Sequence, residues 1–186
     1  MFHLARPGRV AFAALALCVI SSSAFNAAAQ TKASGKIAFD SNRDGGAGEI
    51  YVMFPNGGAP TRLTFAGINA HPVWSPDGSK IAFIRFTSPA TSDVWVMNAD
   101  GSGQTNLTNT PSASHSRPDW SPDGSKIAFT SNYDGNFEIY AMNAGGGNVT
   151  RLTNHAAGDA FPDWSPDGSK IAFSSNRDGG LDNDEI

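Results

Sequence analysis

Beyond residue 30 the chain alternates short runs rich in Ile, Val, Phe, Tyr and Trp with clusters of Gly, Asp, Asn, Pro and Ser. Short apolar runs bounded by turn residues predict β-strands, and no helical periodicity competes with that reading. In residues 71–108 the pattern predicts four strands, at 71–75, 80–85, 93–97 and 104–108. Each link between them carries its own turn chemistry. Ser75-Pro76-Asp77-Gly78 presets φ at Pro76 and admits positive φ at Gly78, which suits a three-residue hairpin loop. Asn98-Ala99-Asp100-Gly101 turns the third strand into the fourth, and Ser131-Asn132-Tyr133-Asp134-Gly135 shows the form taken between second and third strands elsewhere in the chain. All links are hairpins, so the unit is an antiparallel meander.

The unit repeats. Trp-Ser-Pro-Asp-Gly-Ser-Lys-Ile-Ala-Phe occurs at residues 74–83, 120–129 and 164–173, and Gly35-Lys36-Ile37-Ala38-Phe39 is a fainter copy ahead of them. The aligned isoleucines, Ile37, Ile81, Ile127 and Ile171, lie 44, 46 and 44 residues apart. Within a copy, Ile81 and Phe83 face one way while Ala82 and Ile84 face the other, so both sides of the sheet are apolar. Such a sheet must be covered on both sides by its neighbours, with small Ala82, Ala128 and Ala172 accommodating bulk from the next sheet. Stacking around a hub satisfies this, and the expected fold is all-β: a partial β-propeller of about three and a half four-stranded antiparallel blades, at 36–64, 71–108, 117–153 and 161–186. The alignment stops in the third strand of the last copy, at Glu185-Ile186. A fragment of a longer protein, or a half ring completed by self-association with a second copy, is the expectation.

Residues 1–29 do not share this pattern. Arg6 and Arg9 precede an apolar run at 10–20, and Ala27-Ala28-Ala29 offers a small-residue cleavage site. These are the parts of a secretory signal peptide, followed by a short linker at 30–35, and they predict a periplasmic or secreted protein with no membrane span after cleavage. Leu17 before Cys18 argues against a lipoprotein site. Cleavage removes that only cysteine and leaves 11 Lys plus Arg against 17 Asp plus Glu. The mature chain therefore has no disulfide and no basic patch for nucleic acid.

The repeated decapeptide, with Glu49-Ile50-Tyr51-Val52-Met53, Met97-Asn98-Ala99-Asp100-Gly101 and Thr61-Arg62-Leu63-Thr64, resembles the TolB-type propeller repeats, also called WD40-like PD40 repeats. The resemblance covers residues 35–186 and implies a non-catalytic scaffold of the cell envelope that binds a protein or peptide. The same repeats are similar to the gating propellers of prolyl oligopeptidase and dipeptidyl-peptidase enzymes and to PD40-repeat lyases. That similarity implies the alternative of a propeller from a larger secreted hydrolase or lyase. No Gly-x-Ser-x-Gly elbow is present, and no catalytic residue is assigned.

Hairpins sort the loops onto two faces. The turns after the first and third strands are nearly identical from copy to copy, while variation gathers in the crossings between copies. Aligned on the tryptophans, those crossings offer Asn69 and His71, then His115 and Arg117, then Asp159 and Phe161. As solvated loop residues ringing the channel mouth, these six are the expected binding site for a partner. No cofactor is implied. Asp40-x-Asn42-x-Asp44-Gly45 matches the first half of a calcium loop, but Tyr51 stands where the closing bidentate Glu belongs, and it reads as a hairpin turn. The remaining histidines share no element face, so no metal site is assigned.

Overall fold

The computed structural model of the chain describes residues 35–177. The leader assigned to 1–29, most of the linker and the strand start at Glu185-Ile186 lie outside them. The described residues form thirteen strands in four antiparallel sheets, which constitute an incomplete propeller. The first sheet contains β1 (Ile37–Ser41), β2 (Glu49–Met53) and β3 (Thr61–Arg62). The second runs β4 (Ile68–Trp74), β5 (Lys80–Ser88), β6 (Thr91–Asn98) and β7 (Thr105–Asn106). The third repeats that order with β8 (His115–Trp120), β9 (Lys126–Ser131), β10 (Glu138–Asn143) and β11 (Thr150–Arg151), and the fourth holds β12 (Asp159–Trp164) and β13 (Ile171–Ser175). Strands pair in sequence order within every sheet, as a meander must.

The turn at 75–79 shows why the decapeptide is repeated. Gly78 N donates to Ser75 O at 2.9 Å with φ of 70° at Gly78, and the Asp77 carboxylate accepts from Ser75 Oγ at 2.6 Å and Ser79 N at 3.0 Å. Asp123 and Asp167 accept the same set. Led by the bond from the preceding serine hydroxyl, these interactions lower all three carboxyls to about 2. Another glycine is fixed by packing between sheets: a Cβ on Gly101, at φ 88°, would lie 2.9 Å from the Leu63 carbonyl oxygen of the first sheet.

Both faces of the second sheet are buried. Ile81, Phe83 and Met97 join Ile50, Val52 and Leu63 of the first sheet, with Trp74 among them. Ala82, Ile84, Val94 and Val96 join Ile127, Phe129, Tyr140 and Met142 of the third, with Trp120 in the same cluster. A fully buried side chain of this kind contributes about 1.5–3 kcal/mol, so the two seams hold the sheets in order. Trp164 is half-buried, and a cavity of about 430 Å³ adjoins it, lined also by Pro122, Lys126 and Gly168. In the earlier sheets, Met97 and Ala99 or Met142 and Ala144 share the cluster of the equivalent indole.

The inner strands begin earlier than the hydrophobic pattern suggests. Pairing with β5 carries β4 back to Ile68, opposite Phe86. Asn69, His115 and Asp159, which lie ahead of the expected strand starts at 71, 117 and 161, are therefore strand residues, together with His71, Arg117 and Phe161.

Candidate functional site

Each complete inner strand is interrupted at the same place. The pairing of β4 with β5 shifts between Ala70 and Val73, that of β8 with β9 between Ser116 and Asp119, and that of β12 with β13 between Ala160 and Asp163. Inside these bulges His71, Arg117 and Phe161 have φ of 53°, 50° and 58°. Each precedes a proline, Pro72, Pro118 or Pro162, which further restricts its backbone. A non-glycine residue held there costs about 1–3 kcal/mol and persists only where its surroundings impose it. Part of the support comes from the preceding sheet: His71 N donates to Asp40 Oδ1 and Phe161 N to Thr130 Oγ1, both at 3.1 Å. Ile84 occupies the corresponding position before Arg117 and offers no side-chain acceptor.

The bulges bring three of the six expected site residues into one row. The Arg117 Cζ lies 5.0 Å from the centroid of the Phe161 ring, and Phe161 is 49% exposed. His71 is half-buried. Burial first, then the positive charge of Arg117, lowers its imidazole to about 4 against an opposing influence from Asp40, so it is neutral at pH 7.

The other three residues turn inward, because the left-handed step breaks the alternation that would place residues two apart on one side. Asn69, His115 and Asp159 are buried, a correction to their expected solvation. Asn69 Nδ2 donates to Glu49 Oε2 at 2.8 Å and its Oδ1 accepts from Arg85 Nε at 2.8 Å. The His115 ring bonds Thr110 Oγ1 and meets Phe129 edge-on at 5.4 Å; burial lowers it to about 4, opposed by Asp93. Asp159 accepts from Ser175 Oγ at 2.5 Å and Arg177 Nη2 at 2.8 Å. These groups hold the inner strands from behind.

A second set of buried acids escapes the hydrophobic pattern. Glu49 accepts from Arg62 Nη2 at 2.7 Å and from Thr64 Oγ1; Glu138 accepts from Arg151 Nη2 at 2.8 Å, Thr153 Oγ1 at 2.5 Å and His155 N at 2.8 Å. Asp93 accepts from Asn106 Nδ2 at 2.9 Å and Thr108 Oγ1 at 2.8 Å. Thr-Arg-Leu-Thr is thus a clamp: its Arg and second Thr fasten the short outer strand to the acid, while Leu63 enters the core. The shorter acid accompanies Asn in place of Arg, and the acid and its clamp partner are 13 residues apart in every case. Burial pushes the Glu138 carboxyl up, but the bonds from Thr153, His155 N, Arg151 and Asn136 outweigh it and bring it to about 2. Tyr51, which breaks the calcium pattern, donates its hydroxyl to Asp44 at 2.6 Å, and Tyr140 does the same to Asp134 at 2.7 Å. Among the described residues no group of three or more His, Cys, Asp and Glu is placed to hold a metal ion.

The two ends of the sheets differ. On the end bearing the crossings, Phe65 (74% exposed), Tyr133, Phe137 and Phe161 are open to solvent. On the opposite end Phe54 and Val149 are exposed as well, and the uniform turns nest, Gly124 against Pro76 and Gly168 against Pro122.

Comparison with known proteins places this architecture. The TolB beta propeller domain family (PD40) matches residues 68–182, more than half of the chain. The chain belongs to that family. It is similar to a Tol-Pal system protein TolB of Anaeromyxobacter dehalogenans, 56% identical over 39 residues that cover 21% of this chain and 9% of the relative. Among solved structures, a protein assigned as TolB from Agrobacterium tumefaciens superposes with a TM-score of 0.72 at 31% identity, covering 80% of this chain and 53% of that one. TolB from Acinetobacter baumannii gives 0.67 at 29% identity, covering 79% and 36%. The chain thus spans about half or less of these relatives' own length.

Proposed function

We propose that this TolB-like propeller is a non-catalytic scaffold of the cell envelope, exported to the periplasm by its first 29 residues, that docks a protein or peptide along the inner-strand bulges. The observation that carries this reading is the recurrence of left-handed backbone at His71, Arg117 and Phe161, equivalent places with variable side chains, of which Arg117 and Phe161 are exposed. Bulges serve to re-aim side chains and to end pairing at a sheet edge, and strain of this kind concentrates at ligand-contacting sites. The exposed Phe65, Tyr133 and Phe137 at the same end extend the surface with aromatic contacts suited to a protein partner. The buried acids support a non-catalytic role, since Glu49, Asp93, Glu138 and Asp159 are each engaged by groups of the surrounding fold. The Tol-Pal name of a relative supports an envelope setting.

A photo-crosslinking residue placed at position 161 in cells, with position 149 on the opposite end as control, tests the reading. Discrete protein adducts from 161 and none from 149 are expected. Equal labelling from both ends would contradict it. Recovery of a periplasmic chain beginning at Gln30 tests the export step.

A further inference from the structure

We propose that Arg117, stacked on Phe161, receives a carboxylate side chain of the docked peptide; this rests on the docking reading above and specifies the partner's chemistry. Arg62, Arg151 and Arg177 each reach a carboxylate of their own sheet, at 2.7 or 2.8 Å. Arg117 is exposed, and among the described residues no carboxylate lies within ion-pair distance of it. Its guanidinium is held over the Phe161 ring at 5.0 Å. A guanidinium lying over a ring is restrained by it, and the fork of its N–H donors matches two carboxylate oxygens.

The surroundings favour an anion. His71 in the same row is neutral at pH 7, which leaves Arg117 as the charged group of that row. Asp40, the acid next to His71, is directed to the His71 backbone N–H at 3.1 Å. The mature chain is acidic overall, with 17 Asp plus Glu against 11 Lys plus Arg after removal of Arg6 and Arg9; exposed Arg43 likewise lies over the Phe39 and Tyr51 rings without an ion pair among the described residues, and Arg117 differs from it in standing on the inner-strand row. The Phe161 ring beside it supplies apolar area for whatever flanks the carboxylate. The ligand inferred is therefore a peptide segment with an acidic residue between apolar ones.

Two synthetic peptides test this, acetyl-Gly-Phe-Glu-Phe-Gly-amide and its Gln-for-Glu counterpart, titrated into the protein at low salt while the Arg117 Nε–H and the backbone amides of 71, 117 and 161 are followed by NMR. The Glu peptide is expected to shift the Arg117 Nε–H and to bind about fivefold or more tightly than the Gln peptide, a difference abolished by Arg117→Gln and diminished by added salt. Equal binding of the two peptides with shifts at the inner-strand amides would overturn the carboxylate assignment and leave the docking surface standing. An absence of shifts at those amides with either peptide would overturn both.

Discussion

Trp120 on the inner strand of the third sheet shares one buried cluster with Ala82 of the second, so the largest side chain of one repeat and the smallest core position of its neighbour belong to the same seam. With Trp120 only 6% exposed, Trp120→Ala should cost about 3–5 kcal/mol in unfolding free energy, as truncation of a large core residue does. The reverse change, Ala82→Phe, should cost about 1–3 kcal/mol by overpacking the same seam. Urea denaturation measures both.

The clamp at Glu138 makes a different prediction. Glu138 is fully buried, and Arg151→Met removes its charged partner, which should cost about 3 kcal/mol because the acid is left with only neutral donors. Pairing Arg151→Met with Glu138→Gln should cost less than the two single changes added together, and a double-mutant cycle reads the coupling.

His115 was expected on a solvated loop, where truncation would change stability by no more than about 0.5 kcal/mol. Its burial, its bond to Thr110 and its edge contact with Phe129 instead predict a loss of about 2 kcal/mol for His115→Ala.

The strand order, the hairpins and the two-faced burial of Ile81, Ala82, Phe83 and Ile84 were legible because alternation and turn chemistry are local. The bulges were not: no glycine marks His71, Arg117 or Phe161, and their φ values are imposed by pairing on both sides of an X-Pro step. Asn69 and His115 read as surface residues because side-chain partners such as Arg85, 16 residues from Asn69, and Phe129, on the next strand from His115, become neighbours only once the sheet forms. The constant 13-residue interval from acid to clamp residue is a periodic signal of the buried pairs, visible only when the copies are aligned on more than their decapeptide.

Backbone strain at the docking row is testable by comparing two variants that lose the same side chain. Arg117→Gly relieves the left-handed φ of 50° whereas Arg117→Val aggravates it, so the Gly variant should be the more stable by about 2 kcal/mol. Equal stabilities in thermal or urea unfolding would remove strain from the account.

Acid should destabilise the protein in two stages. His71 and His115 are held near 4, below the ordinary 6.5, so the neutral form favoured by the fold gives full stability above about 6.5, and that contribution is lost as pH falls toward 4. Glu138, lowered from 4.5 to about 2, and Asp77, Asp123 and Asp167, lowered from 3.8 to about 2, then lose theirs as pH falls through that lower window. Unfolding free energy measured from pH 7 to 2, with NMR titration of the two imidazoles, checks the order.

The stacking of sheets face to face is tested most directly by nuclear Overhauser contacts from the Trp120 indole. Contacts to methyl groups of the second sheet, drawn from Ala82, Ile84, Val94 and Val96, are expected alongside those to Ile127 and Met142 of the third. Contacts confined to residues of the third sheet would contradict it.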